Sequence, residues 1–383
     1  MIRLPASLIF TPTGCTIFRN GKIPLKRLTN ADNRPSEGMA SPQFNAQTVQ
    51  KLVFNGYVEE IFVRMPALLN VRSQIMNTTK LVTYGILYKK MNPTLATMFI
   101  KSNTIQLFNQ KNRTKQIMDI HSIDKKQAEL LYITKQIDFQ NMEKEIREDI
   151  EQMITNDKGL ELEDKELLTL SLDKFISFLD KRIWYLYYII YQSSMRDEIR
   201  KEFSCLIFHY LERTKIATHL ATMLMELVQN AEKAHFERLI RKHRLVASTK
   251  DMDKFMRNRE NRNQLIKHAM NDKQFLQLAW RFDSGETSTG KPYKIEIIIS
   301  NHGLISDDMQ QKLMQKMKAN TDQDLSTFFE ADNSNADKLG AGLGLLYLSY
   351  LKDECKEAGI KFTPSIFPEI KLEKTTAKIQ LIF

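Results

Sequence analysis

Two short boxes constrain this chain more than anything else in it. Lys338-Leu339-Gly340-Ala341-Gly342-Leu343-Gly344-Leu345 is a glycine-rich turn that runs into an apolar helix. Alternating glycines let backbone N–H groups approach an anion closely, and the helix that follows turns its N-terminus toward it. Upstream, Glu226-Leu227-Val228-Gln229-Asn230-Ala231-Glu232-Lys233-Ala234 sets Glu226, Asn230 and Lys233 at i, i+4 and i+7. That spacing puts an acid, an amide and a cation on one helix face. Read jointly, the boxes predict a nucleoside triphosphate held between a helix face and a glycine turn.

The bulk numbers permit this without requiring it. A chain of 383 residues has room for two or three domains, and 42% hydrophobic against 27% charged residues supports packed cores. A net charge of +10 suits an anionic partner but does not choose between nucleotide and nucleic acid. Three cysteines, Cys15, Cys205 and Cys355, are odd in number and form no CxxC, so neither a disulfide framework nor a cysteine zinc site is expected. The longest apolar run, Ile183 to Tyr191, is too short to span a bilayer. Gly14-Cys15 has the outline of a lipoprotein signal end, but Pro5 and Pro12 break the segment before it. A cytoplasmic location is expected.

Along the chain, three regions are expected: an unassigned N-terminal region over 1–115, a helical linker or dimerisation region over 116–204, and an ATP-binding domain over 205–383. Residues 1 to 45 read as strands and loops, with Asn30 to Ser41 an exposed loop. Phe139, Met142, Ile146, Ile150 and Met153 step at helical spacing on a charged background. The aromatic run Trp184 to Tyr188 reads as core. Farther on, 275–282 and 291–300 read as strands, Leu343 to about Glu357 as a helix, and 361–367 and 375–383 as two closing strands.

This order of elements resembles the GHKL ATPase superfamily, which includes gyrase-type topoisomerases, heat-shock chaperones, sensor histidine kinases and mismatch-repair ATPases. The resemblance covers about residues 205–383 and is nearest to the histidine-kinase catalytic domain. Gly340 to Leu345 is similar to that group's G-x-G-L-G-L box, Glu226 to Lys233 to its E-L-x-x-N-A-x-K box, and Lys374-Thr375-Thr376 to the start of its last strand. The fold it implies is an α/β sandwich of the Bergerat type, a mixed sheet with helices on one face.

Chemistry and resemblance assign the same roles. Glu226 is the expected general base and Asn230 the expected oxygen ligand to Mg²⁺. Lys233 and Lys338 are expected on phosphate oxygens, with Gly340, Gly342 and Gly344 supplying backbone N–H groups. The family's adenine box is D-x-G-x-G, and this chain reads Asn301-His302-Gly303-Leu304-Ile305. Asn301 still offers an acceptor oxygen but without charge assistance, and Gly303 keeps the close backbone approach. His302 reads as a loop residue beside the site. None of the seven histidines precedes an acid, so no phosphoacceptor of the sensor-kinase kind is evident. His209 and His219 read as helix-packing residues.

Three functions compete on these residues. The first is a Mg-ATP-dependent kinase acting in trans on a protein partner, with a homodimer possible. The second is a nucleotide-gated regulatory binder with little turnover, which the altered adenine box favours. The third is a nucleic-acid-associated ATPase contacting its partner through Arg238, Arg241, Lys242, Arg244, Arg257, Arg259 and Arg262. Against the third, that basic run lacks interleaved aromatics that stack bases, and such runs are usually solvated faces.

Overall fold

The computed structural model describes residues 5–41, 46–160, 162–248, 251–283, 292–305 and 343–383. In chain order the first part runs β1 (Ala6–Phe10), α1 (Pro12–Asn20), β2 (Lys26–Thr29), β3 (Pro35–Ser41), α2 (Ala46–Phe54) and β4 (Val58–Met65). Helices follow: α3 (Arg72–Ile100), α4 (Asn103–Lys111), α5 (Lys125–Thr134), α6 (Gln136–Asn156), α7 (Leu162–Phe178), α8 (Lys181–Tyr191) and α9 (Arg196–Glu212). Next come α10 (Lys215–His243), α11 (Met252–Arg257) and α12 (Arg259–Asn271). The chain ends in β5 (Leu276–Asp283), β6 (Lys294–His302), α13 (Leu343–Glu357), β7 (Lys361–Glu369) and β8 (Lys374–Ile382). Two compact units result, one made of residues 1–86 and 216–383, the other of residues 87–215.

The first unit is discontinuous in sequence, and it divides the chain otherwise than the boundaries expected at 115 and 204. Its cause is one strand pairing. β4 lies antiparallel to β5, with Val63 opposite Leu278, so the N-terminal strands share a sheet with the C-terminal ones. The strand order is β2-β3-β1-β4-β5-β6-β8-β7. Every neighbouring pair is antiparallel, where a mixed sheet was expected. Hairpins account for part of this: β2–β3 and β7–β8 are joined by short turns, and antiparallel neighbours need no helical crossover. Pro35–Ser41 is strand β3 rather than loop. Asn30 confines the turn to the residues before it, its Oδ1 accepting from the N–H groups of Asp32 and Arg34 at 3.0 and 2.8 Å.

Strand alternation gives the sheet two unlike faces. Ile61, Val63, Leu278, Trp280, Ile295, Ile297, Ile299, Ile379 and Leu381 are buried on the inner one. Trp280 donates its indole N–H to Thr79 Oγ1 of α3 at 3.0 Å, so α3 lies against that face. The outer face carries Glu60, Gln277, Arg281, Glu296, Lys374, Thr376 and Lys378. Its charges are arranged in pairs, Arg281 with Glu60 at 2.6 Å and Lys378 with Glu296 at 2.6 Å.

The second unit is helical. α6 buries Phe139, Met142, Ile146 and Ile150 as its spacing predicts, but the next buried residue is Ile154 and not Met153. At 3.6 residues per turn the stripe falls between the two positions, and Met153 is half-buried beside Ile154. In α8, Trp184 and Tyr187 are fully buried and meet Phe203 of α9, so these two and Leu186 are core, while Tyr185 and Tyr188 of the same run are half-buried. Arg200 of α9 clasps Asp149 of α6 at 2.6 Å.

Within the first unit, α10 is pinned by a buried acid. Phe236, Leu239 and Ile240 pack with Met252, Leu265 and Ala269, which seats α11 and α12 on one side of the helix. In this apolar stripe sits Glu232, only 1% exposed. Its Oε2 accepts from the N–H groups of Leu68 and Leu69 at 2.6 and 2.8 Å, and its Oε1 from the Arg262 guanidinium. Burial pushes the carboxyl group above the ordinary glutamate range, while the two N–H groups and Arg262 pull it back. One carboxylate thereby ties α10 to α12 and to the segment after β4. Replacing Glu232 with Ala strands Arg262 and two N–H groups, and is expected to cost about 3–5 kcal/mol in urea unfolding. Glu232→Gln, which keeps an acceptor, is expected to cost less.

Candidate functional site

The anchoring of α10 decides what its other face offers. With Val228, Ala231, Glu232, His235 and Phe236 buried, Glu226 and Lys233 are half-buried and Asn230 and Ala234 are exposed. The acid and the amide thus stand one turn apart on the open side of the helix. Burial raises the Glu226 carboxyl above its ordinary range, opposed by the nearby Arg72 guanidinium. Lys233 is engaged already, in an ion pair with Asp253 of α11 at 3.0 Å. Among the described residues no three His, Cys, Asp or Glu side chains converge. Asn230 is an oxygen donor of the kind a hard cation accepts, and a Mg²⁺ there would take its other ligands from phosphate and water.

The later turns of the same helix meet the end of β6. Asn301 sits opposite Thr375 of β8, buried, with its Nδ2 donating to the His302 carbonyl at 3.2 Å. His302, expected in a loop, is the last residue of β6 and half-buried, because the ladder with β8 continues to the pair His302–Lys374. Gly303 follows at φ +110°, a conformation that disfavours any side chain. Its N–H donates to the Glu373 carbonyl at 2.8 Å, and its carbonyl accepts from Thr375 Oγ1 at 2.7 Å. A Cβ at Gly303 would lie 3.3 Å from Cδ of Arg238 on α10. Arg238 also reaches Glu373 at 3.4 Å. Glycine is therefore required here by its φ, while a Cβ would ask only a small shift of the Arg238 side chain.

Beside this turn, the rings of His235 and His302 stand 6.2 Å apart. Neither ring nitrogen of the fully buried His235 has a well-formed hydrogen bond, the Gln274 backbone offering only a weak contact. Both histidines are held down to about 4. For His235 burial dominates, followed by His302 and Arg238. For His302 burial again leads, followed by Lys374, Arg238 and Arg64. These cations make the end of β6 a positive neighbourhood.

Other sequence-derived candidates divide clearly. Gly344 lies in the first turn of α13, where backbone N–H groups have no partner within the helix. Lys338, Gly340 and Gly342 lie outside the described residues. His209, expected to pack between helices, is exposed beside Glu212, because the buried stripe of α9 passes through Phe203, Ile207 and Tyr210 instead. Arg238, Arg241, Lys242 and Arg262 of the basic run are each paired with a carboxylate. Sequence reasoning passed over Glu232 and His235 as site-builders and read Arg238 only as part of a nucleic-acid contact surface. The available signal was an acid and a histidine falling on the apolar stripe Val228, Phe236, Leu239.

The histidine pair makes stability depend on pH with a definite sign. A histidine depressed in the fold is protonated first in the unfolded chain. Its stabilising contribution is therefore complete above its ordinary value of 6.5 and is lost as pH falls toward about 4. Urea midpoints are expected to drop across that window, with a limit on the order of 3 kcal/mol for His235. His235→Phe is expected to flatten the profile, leaving the smaller part due to half-exposed His302.

Comparison with known proteins follows the whole chain. Residues 1–383 match a family of unknown function, DUF8084. An uncharacterized protein of Treponema pallidum (strain Nichols) is 23% identical over 387 residues, covering 100% of this chain and 98% of that protein. No solved structure matches. With the family match running from the first residue to the last, the chain belongs to DUF8084.

Proposed function

We propose that this protein binds Mg-ATP in a Bergerat-like site of its first unit and transfers the γ-phosphoryl group to a separate protein partner. The observation that carries this reading is the pairing of Glu226 and Asn230 on the open face of α10, whose later turns pack on the Asn301–Gly303 turn. The helical rise from Asn230 to Arg238 is about 12 Å, a span suited to a nucleotide lying along the helix. Asn301 would accept from the base, and the glycines at 340, 342 and 344 would face the phosphates.

In this scheme Glu226 takes the proton from the acceptor hydroxyl or imidazole as it attacks. A carboxylate raised by burial is a stronger base than an ordinary one, and Arg72 opposes that rise. Asn230 holds Mg²⁺, which when bound neutralises charge on the β- and γ-phosphates. Positioning and charge supply most of the rate in such transfers. The absence of an acid-flanked histidine in the sequence supports an acceptor on another protein.

A second reading rests on its own observations. Lys233 is tied to Asp253, and the Asn301 amide is turned toward its neighbour's carbonyl. Both reduce what is offered to a nucleotide, and they favour a nucleotide-gated regulator with slow turnover.

Calorimetric titration with a non-hydrolysable ATP analogue, with and without Mg²⁺, separates the readings from a scaffold that binds no nucleotide. Magnesium-dependent binding is expected, and its absence at millimolar nucleotide would sink both. Asn230→Ala is expected to weaken Mg-ATP by at least about tenfold, the loss of one charge-assisted contact. Glu226→Gln is expected to leave affinity intact and to lower turnover by roughly 10²- to 10⁴-fold. Wild type without turnover would select the regulator. If turnover is seen, its acidic limb follows Glu226 deprotonation, rising with pH, and Arg72→Gln is expected to shift that limb to higher pH.

A further inference from the structure

The outer face of the sheet holds a second feature that the nucleotide reading does not use. A cavity of about 380 Å³ opens there over β4, β5, β6 and β8. Its roof is the β2–β3 turn. Ala31 N–H donates to Glu60 at 2.8 Å and Asp32 pairs with Arg281 at 2.6 Å, drawing the hairpin tip across the strands. The size falls within the range of small-molecule pockets.

The floor is polar and buried. Lys374 is 9% exposed, and its ammonium donates to Gln277 Oε1 at 3.0 Å. An ammonium has three N–H donors, and among the described residues this is the one hydrogen bond it makes. Beside it Ser300 and Thr376 are buried with their hydroxyl oxygens 2.8 Å apart, and Thr376 donates to the Glu369 carboxylate. The other cations of the floor are committed, Arg281 to Glu60 and Asp32, Lys378 to Glu296. Lys374 has no carboxylate in contact among the described residues. Desolvation lowers its affinity for its proton, opposed by the nearby Glu369 and reinforced by Arg64.

The wall is apolar. Phe367 and Leu372 stand 39% and 45% exposed at the mouth, and Phe62 and Ile298 line the interior. Large apolar groups left open beside a buried, under-satisfied ammonium describe a ligand with one charged end and a hydrophobic body.

We propose that this cavity binds a small organic acid, its carboxylate on Lys374 and its apolar body against Phe367 and Leu372. Charge decides for a monoanion. Lys374 is the floor cation without a carboxylate contact among the described residues, so it offers one positive charge, and the nearby Glu369 would repel a phosphate dianion more strongly than a monoanion. The site is separate from the nucleotide turn, which lies on the inner side of the same strands, and it stands whether or not nucleotide binds.

The test is calorimetric titration of the full chain with sodium benzoate, with inorganic phosphate and benzylamine as comparators. Benzoate is expected to bind saturably, more tightly than phosphate, with no binding of benzylamine. Lys374→Met is expected to weaken benzoate roughly 10- to 100-fold, the loss of a hydrogen bond to a charged group. Leu372→Ser, at an exposed position where folding is little affected, is expected to weaken benzoate several-fold and to leave phosphate unchanged. That second variant keeps the test decisive if Lys374→Met does not fold. The proposal is overturned if benzoate fails to saturate at about 10 mM, weaker than a useful small-ligand site. It is equally overturned if benzylamine or phosphate binds as well as benzoate, or if Leu372→Ser leaves benzoate affinity unaltered.

Discussion

A buried carboxylate is an expensive thing to place in an apolar stripe, and Glu232 is tolerated only because its two oxygens are saturated from three directions. The Leu68 and Leu69 N–H groups belong to the segment leading into α3, and Arg262 belongs to α12. Three stretches remote in sequence are thereby held to one turn of α10. The consequence is rotational. Once Glu232 points inward, helical geometry puts His235 and Phe236 inward with it and leaves Asn230 and Ala234 outward. Every statement about what the helix offers a ligand inherits from that orientation.

The same economy governs the sheet. β4 and β5 are joined by an edge-to-edge pairing across a long intervening stretch, so the first unit closes only when the N-terminal strands find the C-terminal ones. Such non-local pairing is slow to form, because loop closure costs entropy before any contact rewards it. Trp280 fastens the pairing from the inner side, its ring fully buried and its N–H satisfied by Thr79. Residues 87–215 lie between the two halves in sequence and build a core of their own around Trp184, Tyr187 and Phe203.

What could be read from residues alone follows from the range of the forces involved. β5 to β8 and α13 were legible because alternation, helical spacing and turn residues are local signals. The part played by β1 to β4 was not, since alternation announces a strand but never names its partner. Asn301 and Gly303 were legible as a turn at the end of a strand, yet the packing of the Arg238 side chain over Gly303 comes from another element. Lys233 shows the opposite limit. Its place on the Glu226–Asn230 face was legible, but its commitment to Asp253 was not, because ion pairing depends on how α11 returns across α10.

Alternation also explains how one pair of strands serves two places at once. On β6, Ser300 faces the outer cavity while Asn301 belongs to the turn under α10. On β8, Lys374 and Thr376 face the cavity while Thr375 between them holds the Gly303 carbonyl. Successive residues of a strand cannot move independently, since their positions are set by one ladder of backbone hydrogen bonds. The pair Asn301–Thr375 is a rung of that ladder, and Ser300–Thr376 is the next. A shift of either strand that tightens one face must therefore displace groups on the other. The inner turn and the outer cavity are therefore built on the same few rungs of one ladder.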